Sequence, residues 1–256
     1  IQTVKLFPEF CYWNTQVYEL VHKLYSENRV TFVTQGRFLI EKARCLYRLS
    51  PEVPIDYLPN PVDIDPLFDI KTYPKKNNIV FIGRIESVKR GWLFCEIAKR
   101  MPEYQFYMLG QSFREKEQND SIMEKYRSGI DNLHFTGHVE GEEKFNYIKD
   151  AKILVNTSIH EALPVTFLEA LAYGTLLVSC QNPESLTEKF GIYTGPVLGD
   201  GFDKLDLFVE AIRTLINNEE KRKALSIAGY EYVKQIHNVP DFIRNSRELI
   251  RREARK

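Results

Sequence analysis

From residue 78 the chain repeats one phrase: a short run rich in β-branched and aromatic residues, a glycine, then a helical segment. NNIVFIG, YQFYMLG and NLHFTG stop at Gly83, Gly110 and Gly137, and the segments KRGWLFCEIAKR, REKEQNDSIMEKYRSG and GEEKFNYIKDA follow them. KILVNTS, then ALPVTFLEALAYG closed by Gly174, then TLLVSC extend the series. Strands alternating with helices of this length predict βαβ units. Right-handed crossovers place the helices on both faces of a parallel sheet. The expected fold is therefore α/β, a doubly wound parallel sheet. After Asp203 only helical patterns remain (DKLDLFVEAIRTLINN, EEKRKALSIAGYEYVKQI and VPDFIRNSRELIRREARK), so a helical C-terminal segment is expected.

The first third is shorter in its elements. Residues 12–28 carry Val17, Leu20, Val21 and Leu24 at helical spacing, RVTFVTQG reads as a strand, and GRFLIEKARCLYRLS reads as a helix. PEVPIDYLPNPVD is a short strand running into a proline-rich connector. This predicts an appendage over 1–54 and a main domain over 55–256.

Composition narrows the function classes. Lys+Arg and Asp+Glu are both 35, so no global field draws the chain to nucleic acid, and no nucleic-acid partner is expected. No apolar run approaches the roughly 20 residues of a membrane span. The opening residues, IQTVKLFPEF, lack the apolar core of a secretory leader, and Ile1 in place of Met fits a piece of a longer chain. Cys11, Cys45, Cys95 and Cys180 are scattered with no C-x-x-C, so no metal or other cofactor is expected and a reducing, cytoplasmic setting is. The glycosylation-like triplets at Asn119 and Asn156 read as chance.

In an open parallel sheet, ligands bind beyond the carboxyl ends of the strands, near the point where strand order reverses. Arg84 and Lys89 follow the first strand of the main domain, with Lys89 expected to open the next helix. A guanidinium and an ammonium at a helix N-terminus suit a diphosphate. The competing reading is a solvated loop made of Glu86, Lys89 and Arg90. In HEALPVTFLEAL, Glu161 precedes a helix and Glu169 lies about a turn inside it. Glu169 either closes a capping box with Thr166 or accepts hydrogen bonds from ligand hydroxyls. Pro164 fits the first helical position. His160 reads as a loop histidine, and Phe81, Trp92, Phe106 and Tyr107 as core.

YLPNPVD (57–63), FIGRIESVK (81–89), NLHFTGHV (132–139), EALPVTFLE (161–169) and LEALAYGTLLVS (168–179) occur in the order found in family 4 glycosyltransferases. Over about residues 29 to 235 the chain resembles the C-terminal, donor-binding half of these enzymes, a Rossmann-like half of the two-domain GT-B fold. The resemblance implies transfer of a sugar from a nucleotide-diphosphate sugar to an acceptor hydroxyl with retention of configuration, in polysaccharide or glycolipid synthesis. It implies UDP before GDP as the nucleotide. Arg84 and Lys89 would hold the diphosphate after the turn at Gly83, and Glu169 would accept from the ribose. Glu161 would lie by the donor sugar and the Val139 backbone near the base, while the amides of Val165 and Thr166 meet phosphate or sugar oxygens. Ala162, Pro164 and the QNPE stretch over 181–184 depart from the glycines common in the family.

The family's acceptor-side domain usually precedes the connector by far more than 60 residues, so residues 1–54 would supply only its end. The acceptor is expected to be a sugar or a lipid-linked molecule. The helix over 240–255 resembles the family's tail that crosses back to the first domain. Its basic cluster, Arg244, Arg247, Arg251, Arg252, Arg255 and Lys256, either meets anionic lipid at the cytoplasmic membrane face or forms a solvated helix face. The alternative function is a non-catalytic nucleotide-sugar binding module that needs a partner half. A nicotinamide oxidoreductase ranks below both, because no G-x-G-x-x-G follows the early strands. A sugar-nucleotide epimerase of the same shape is the remaining alternative.

Overall fold

A computed structural model of the chain describes residues 15–254. The opening stretch 1–10, Cys11, and Arg255 and Lys256 of the basic cluster lie outside the described residues. The chain divides into two compact units, Ile1–Pro61 with Val239–Lys256, and Val62–Asn238.

In the first unit, α1 (Thr15–Ser26), β1 (Phe32–Thr34), α2 (Leu39–Tyr47) and β2 (Ile55–Tyr57) follow one another. β1 and β2 pair in parallel, with Phe32 opposite Ile55 and Thr34 opposite Tyr57. That pairing carries 55–57 into the first unit, so the division falls at Pro61 and Val62, where the sequence reading placed it between 54 and 55.

The second unit holds β3 (Asn78–Ile82), α3 (Gly91–Lys99), β4 (Gln105–Leu109), α4 (Lys116–Glu124), β5 (Leu133–Gly137), α5 (Gly141–Asp150) and β6 (Ala151–Asn156). It continues through α6 (Val165–Ala172), β7 (Leu176–Ser179), α7 (Leu186–Lys189), β8 (Gly191–Tyr193), α8 (Leu205–Asn217) and α9 (Glu219–Ile236). A final helix, α10 (Val239–Glu253), groups with the first unit, where Arg252 pairs with Asp56; the sequence reading counted its residues within 55–256 but likened it to the tail that returns to the first domain.

All six strands of the main sheet are parallel, in the order β5-β4-β3-β6-β7-β8. The doubly wound expectation is met. Side chains alternate across each strand. Ile79 and Phe81 of β3 face a core shared with Leu93 of α3, Met123 of α4 and Phe208 and Ile212 of α8. Val80 faces the other core, shared with Ile148 of α5, Phe167, Leu168 and Leu171 of α6 and Val233 of α9. Phe81, Trp92 and Phe106 are core residues, as their setting in the sequence suggested, and Tyr107 is half-buried against the second core.

Strand order reverses between β3 and β6, and the loops that leave these two strands meet there. The Ile159 amide donates to the Val88 carbonyl at 2.8 Å, and the Thr157 hydroxyl donates to the Lys89 carbonyl at 2.8 Å. Glycine is required at the neighbouring strand end. Gly110 has φ +146°, and a Cβ there would stand 1.9 Å from the Gly83 carbonyl oxygen. Only a residue without a side chain lets the loops after β3 and β4 pass this closely.

β8 was not visible in the sequence. It is a three-residue edge strand, GIY, entered from the one-turn helix α7, and too short to carry a periodic pattern.

Candidate active site

The loop after β3 differs locally from its expected form. Lys89 does not open α3; it ends a 3-10 turn, Ser87–Lys89, and α3 begins at Gly91. Arg90 separates the two in the left-handed conformation, φ 48° and ψ 46°, which an α-helix cannot continue through.

Arg90 is also not solvated. Its side chain is fully buried. The guanidinium donates to the carbonyls of Thr157 (2.7 Å), Val197 (2.9 Å), Gly199 (3.3 Å) and Ser158 (3.3 Å), and lies 3.4 Å from the Cys180 sulfur. A long side chain thus clasps the loops that leave β3, β6 and β8. Burial pushes its pKa below the ordinary value, and burial raises that of the Cys180 thiol. Sequence reasoning missed this role. The only signal was a cation set between Lys89 and the apolar run of α3.

Lys89 reaches Glu161 in the loop after β6, with Nζ 2.5 Å from Oε1. Both side chains are mostly buried, at 20% and 12% exposure. The same carboxylate oxygen accepts from Asn156 Nδ2 at 3.1 Å. Asn156 ends β6, and its Oδ1 accepts from the Ser179 hydroxyl at the end of β7. Asn156 is therefore a buried support for Glu161. Gln181 adds a second tie, donating to the carbonyls of Ser158 (3.1 Å) and Ile159 (3.0 Å).

Arg84 stands apart from this cluster. Its guanidinium is half-exposed and lies 3.2 Å from Glu86 Oε1. The Glu86 side chain is only 10% exposed, so the solvated-loop reading fails for this acid as well as for Arg90.

Glu169 forms a third grouping. It is the fifth residue of α6, and its Oε1 accepts from Lys144 Nζ of α5 at 2.6 Å. No side chain caps α6, so the capping box with Thr166 does not form. Pro164 sits at the cap position, one residue before the helix starts, and its carbonyl accepts from the Phe167 amide at 3.0 Å. The amides of Val165 and Thr166 open the helix, where no carbonyl of a preceding turn exists to take them. Val165 is exposed at the helix mouth. Val139 follows β5 and is half-buried against the second core.

One strand further out, a cleft of about 240 Å³ opens at the ends of β4 and β5 between Ile85, Gln111, Ser112, Lys116, Asp120 and Arg127. Asp120 there accepts from the Ser112 hydroxyl at 2.8 Å and pairs with Lys116, and these contacts hold its carboxyl below the usual range. Among the described residues no group of three or more His, Cys, Asp or Glu side chains is placed to hold a metal ion.

The expected residues thus lie along one edge of the sheet, at the carboxyl ends of β3, β5 and β6 and the N-terminus of α6. The arrangement offers two cations after β3, a restrained carboxylate opposite one of them, and a second carboxylate inside a helix mouth. That combination can neutralise phosphate oxygens and accept hydrogen bonds from hydroxyls.

Comparison with known proteins bears on the family and the fold. The profile of the family "Glycosyl transferases group 1" matches residues 65–232. A sulfoquinovosyl transferase, SQD2 of Arabidopsis thaliana, is 26% identical over 165 residues, covering 62% of this chain and 30% of the plant protein. The structure of HepE from Anabaena in complex with UDP superimposes with a TM-score of 0.75 at 14% identity, over 96% of this chain and 69% of that one. The pneumococcal O-GlcNAc transferase GtfA, in complex with UDP and GlcNAc, gives 0.70 at 16% identity, over 92% of this chain and 47% of that one. The chain spans less than half the length of SQD2 and of GtfA. The sheet order and these neighbours identify the fold as that of GT-B glycosyltransferases. With its strand-end site and a family profile that covers most of its length, the chain belongs to the group 1 glycosyl transferases, as a C-terminal domain of the family 4 type.

Proposed function

We propose that this chain binds a UDP-sugar and is the donor half of a retaining glycosyltransferase that passes the sugar to an acceptor hydroxyl, in polysaccharide or glycolipid synthesis. One observation carries the reading. Where strand order reverses, Lys89 and Glu161 face each other at 2.5 Å, with Arg84 on the same loop as the lysine. The two relatives solved with UDP support the choice of nucleotide.

In this reading the bond between the anomeric carbon and the diphosphate breaks, and charge accumulates on the leaving diphosphate. Arg84 and Lys89 neutralise it, and removal of one such donor is worth about 2.7–4 kcal/mol of transition-state stabilisation. Glu161, held by Lys89 and Asn156, accepts from a hydroxyl of the donor sugar, and Glu169 accepts from the ribose. The amides of Val165 and Thr166 take phosphate or sugar oxygens, and the backbone at Gly83 and Val139 lines the site. None of these residues is assigned as a general base.

The test is calorimetric titration of the chain with UDP, GDP, NAD and a panel of UDP- and GDP-sugars, with Arg84→Ala and Glu169→Ala alongside. Saturable binding of uridine nucleotides, weakened by both substitutions, is the expected result. Binding that neither substitution changes places the donor elsewhere. Binding without transfer or donor hydrolysis favours the non-catalytic alternative.

A further inference from the structure

We infer that Lys144 is a positioning residue for ribose recognition, acting through Glu169. The inference rests on the donor reading above and adds to it a residue outside the sequence motifs. Lys144 is the fourth residue of α5 and Glu169 the fifth of α6, 25 positions apart in sequence, and their charged atoms meet at 2.6 Å. Both side chains are largely buried, at 22% and 11% exposure.

Lys144 is out of place by local rules. The N-terminal turn of a helix carries partial positive charge and favours acids, as Glu142 and Glu143 illustrate. A lysine one residue later is disfavoured there unless something outside the helix compensates it. Glu169 is that compensation, and the benefit is mutual, because a largely buried carboxylate needs a hydrogen-bonded partner.

The geometry divides the carboxylate's work. Oε1 is taken by Lys144, while Oε2 has no hydrogen-bond partner among the described residues. A carboxylate pinned through one oxygen keeps a fixed orientation, so the acceptor positions that remain are defined before a ligand arrives. Two neighbouring hydroxyls, as on a ribose, match such an acceptor. Without Lys144 the carboxylate is free to rotate, and its discrimination between a ribose and a deoxyribose falls.

The experiment measures that discrimination, which a purely structural ion pair would not affect. The full 256-residue chain is titrated with UDP and with 2′-deoxy-UDP, in wild-type form and as Lys144→Met, Lys144→Arg, Glu169→Gln and Arg84→Ala. A hydrogen bond to a charged acceptor predicts that wild type prefers UDP by about tenfold or more. Lys144→Met and Glu169→Gln are expected to bring the two affinities together, and Lys144→Arg to keep the preference. Arg84→Ala is expected to weaken both nucleotides equally. Melting curves establish that each variant is folded, and Lys144→Gln replaces the methionine variant if that one is not. A folded Lys144 variant with the wild-type preference, beside a Glu169→Gln that has lost it, overturns the role of Lys144 and leaves the donor reading intact. A folded wild-type chain that binds both nucleotides equally overturns the ribose contact of Glu169 and this inference with it, and one that binds neither overturns the donor reading as well.

Discussion

Lys89 and Glu161, 72 residues apart in sequence, form an ion pair at 2.5 Å where the sheet reverses its strand order. The pair joins the loop after β3 to the loop after β6, and Asn156 holds the same carboxylate oxygen from the end of β6. The carboxylate assigned to the donor sugar is therefore fixed by the cation assigned to the diphosphate.

That pairing separates the two single substitutions. Lys89→Met removes a phosphate ligand and leaves a mostly buried acid short of a partner, so UDP affinity is expected to fall about tenfold or more. Glu161→Gln keeps the side-chain shape and releases Lys89 for phosphate. It should hold UDP affinity within about threefold of wild type, a spread of well under 1 kcal/mol, while lowering the rate of transfer. Titration with UDP and initial rates with a UDP-sugar distinguish the two. An equal loss of UDP affinity in both variants would contradict the division of roles.

Arg90→Met leaves the carbonyls of Thr157, Val197 and Ser158 without their donor in a buried setting. Each unsatisfied acceptor costs about 1–3 kcal/mol. Relief from burying a cation offsets part of this, so a net loss of about 3 kcal/mol is expected from urea unfolding. Arg90→Lys should fall between, because a single ammonium cannot replace the forked guanidinium at carbonyls of both loops at once. Wild-type stability in Arg90→Met would mean that desolvation of the cation cancels all of its hydrogen bonds.

Gly110→Ala strains the backbone at φ +146° and drives a Cβ to 1.9 Å from the Gly83 carbonyl oxygen. Backbone on backbone cannot yield as a flexible side chain would, so the loop that carries Arg84 must move. The variant should lose about 1–3 kcal/mol of stability and weaken UDP binding in the same samples. Thermal unfolding and calorimetry read both effects. Unchanged UDP affinity in a destabilised variant would separate this glycine from the site.

Lys75 predicts a pH dependence remote from the site. Its ammonium donates to the Tyr173 carbonyl (2.7 Å) and the Thr175 hydroxyl (2.8 Å), and burial pushes its pKa down to about 7, with Asp150 opposing the shift. Between pH 7 and the ordinary lysine value of 10.5, the unfolded chain binds this proton and the folded chain does not. Stability from this group therefore rises with pH across that window, and the penalty is fully present below pH 7. Urea midpoints from pH 7 to 10 should climb more steeply in wild type than in Lys75→Met. Parallel slopes would show that the lysine titrates normally in the folded chain.

Much of the sheet was legible because its determinants are local. A β-branched run, a glycine at the strand end and a helix of crossover length fix a βαβ unit wherever they occur, and their order fixed the doubly wound layers. The motif spacing likewise put Arg84, Lys89, Glu161 and Glu169 at strand ends and helix mouths. Local pattern failed where the outcome depended on partners far along the chain. Thr166 and Glu169 have capping-box spacing, yet the helix begins one residue before Thr166 with Pro164 at its cap, so Glu169 lies too deep to reach the helix end and pairs with Lys144 of α5 instead. Arg90 sits among charged neighbours that read as a solvated loop, yet carbonyls from two distant loops, after β6 and after β8, converge on it and bury it. The strand 55–57 belongs to the first unit because its ladder partner, β1, lies there. Sequence determined the alternating strands and helices from β3 to β7 and which side chains reach the carboxyl ends of those strands. Only the tertiary structure decided which cation meets which acid, since that choice is made by loops and helices far apart in the chain that become neighbours when the sheet assembles.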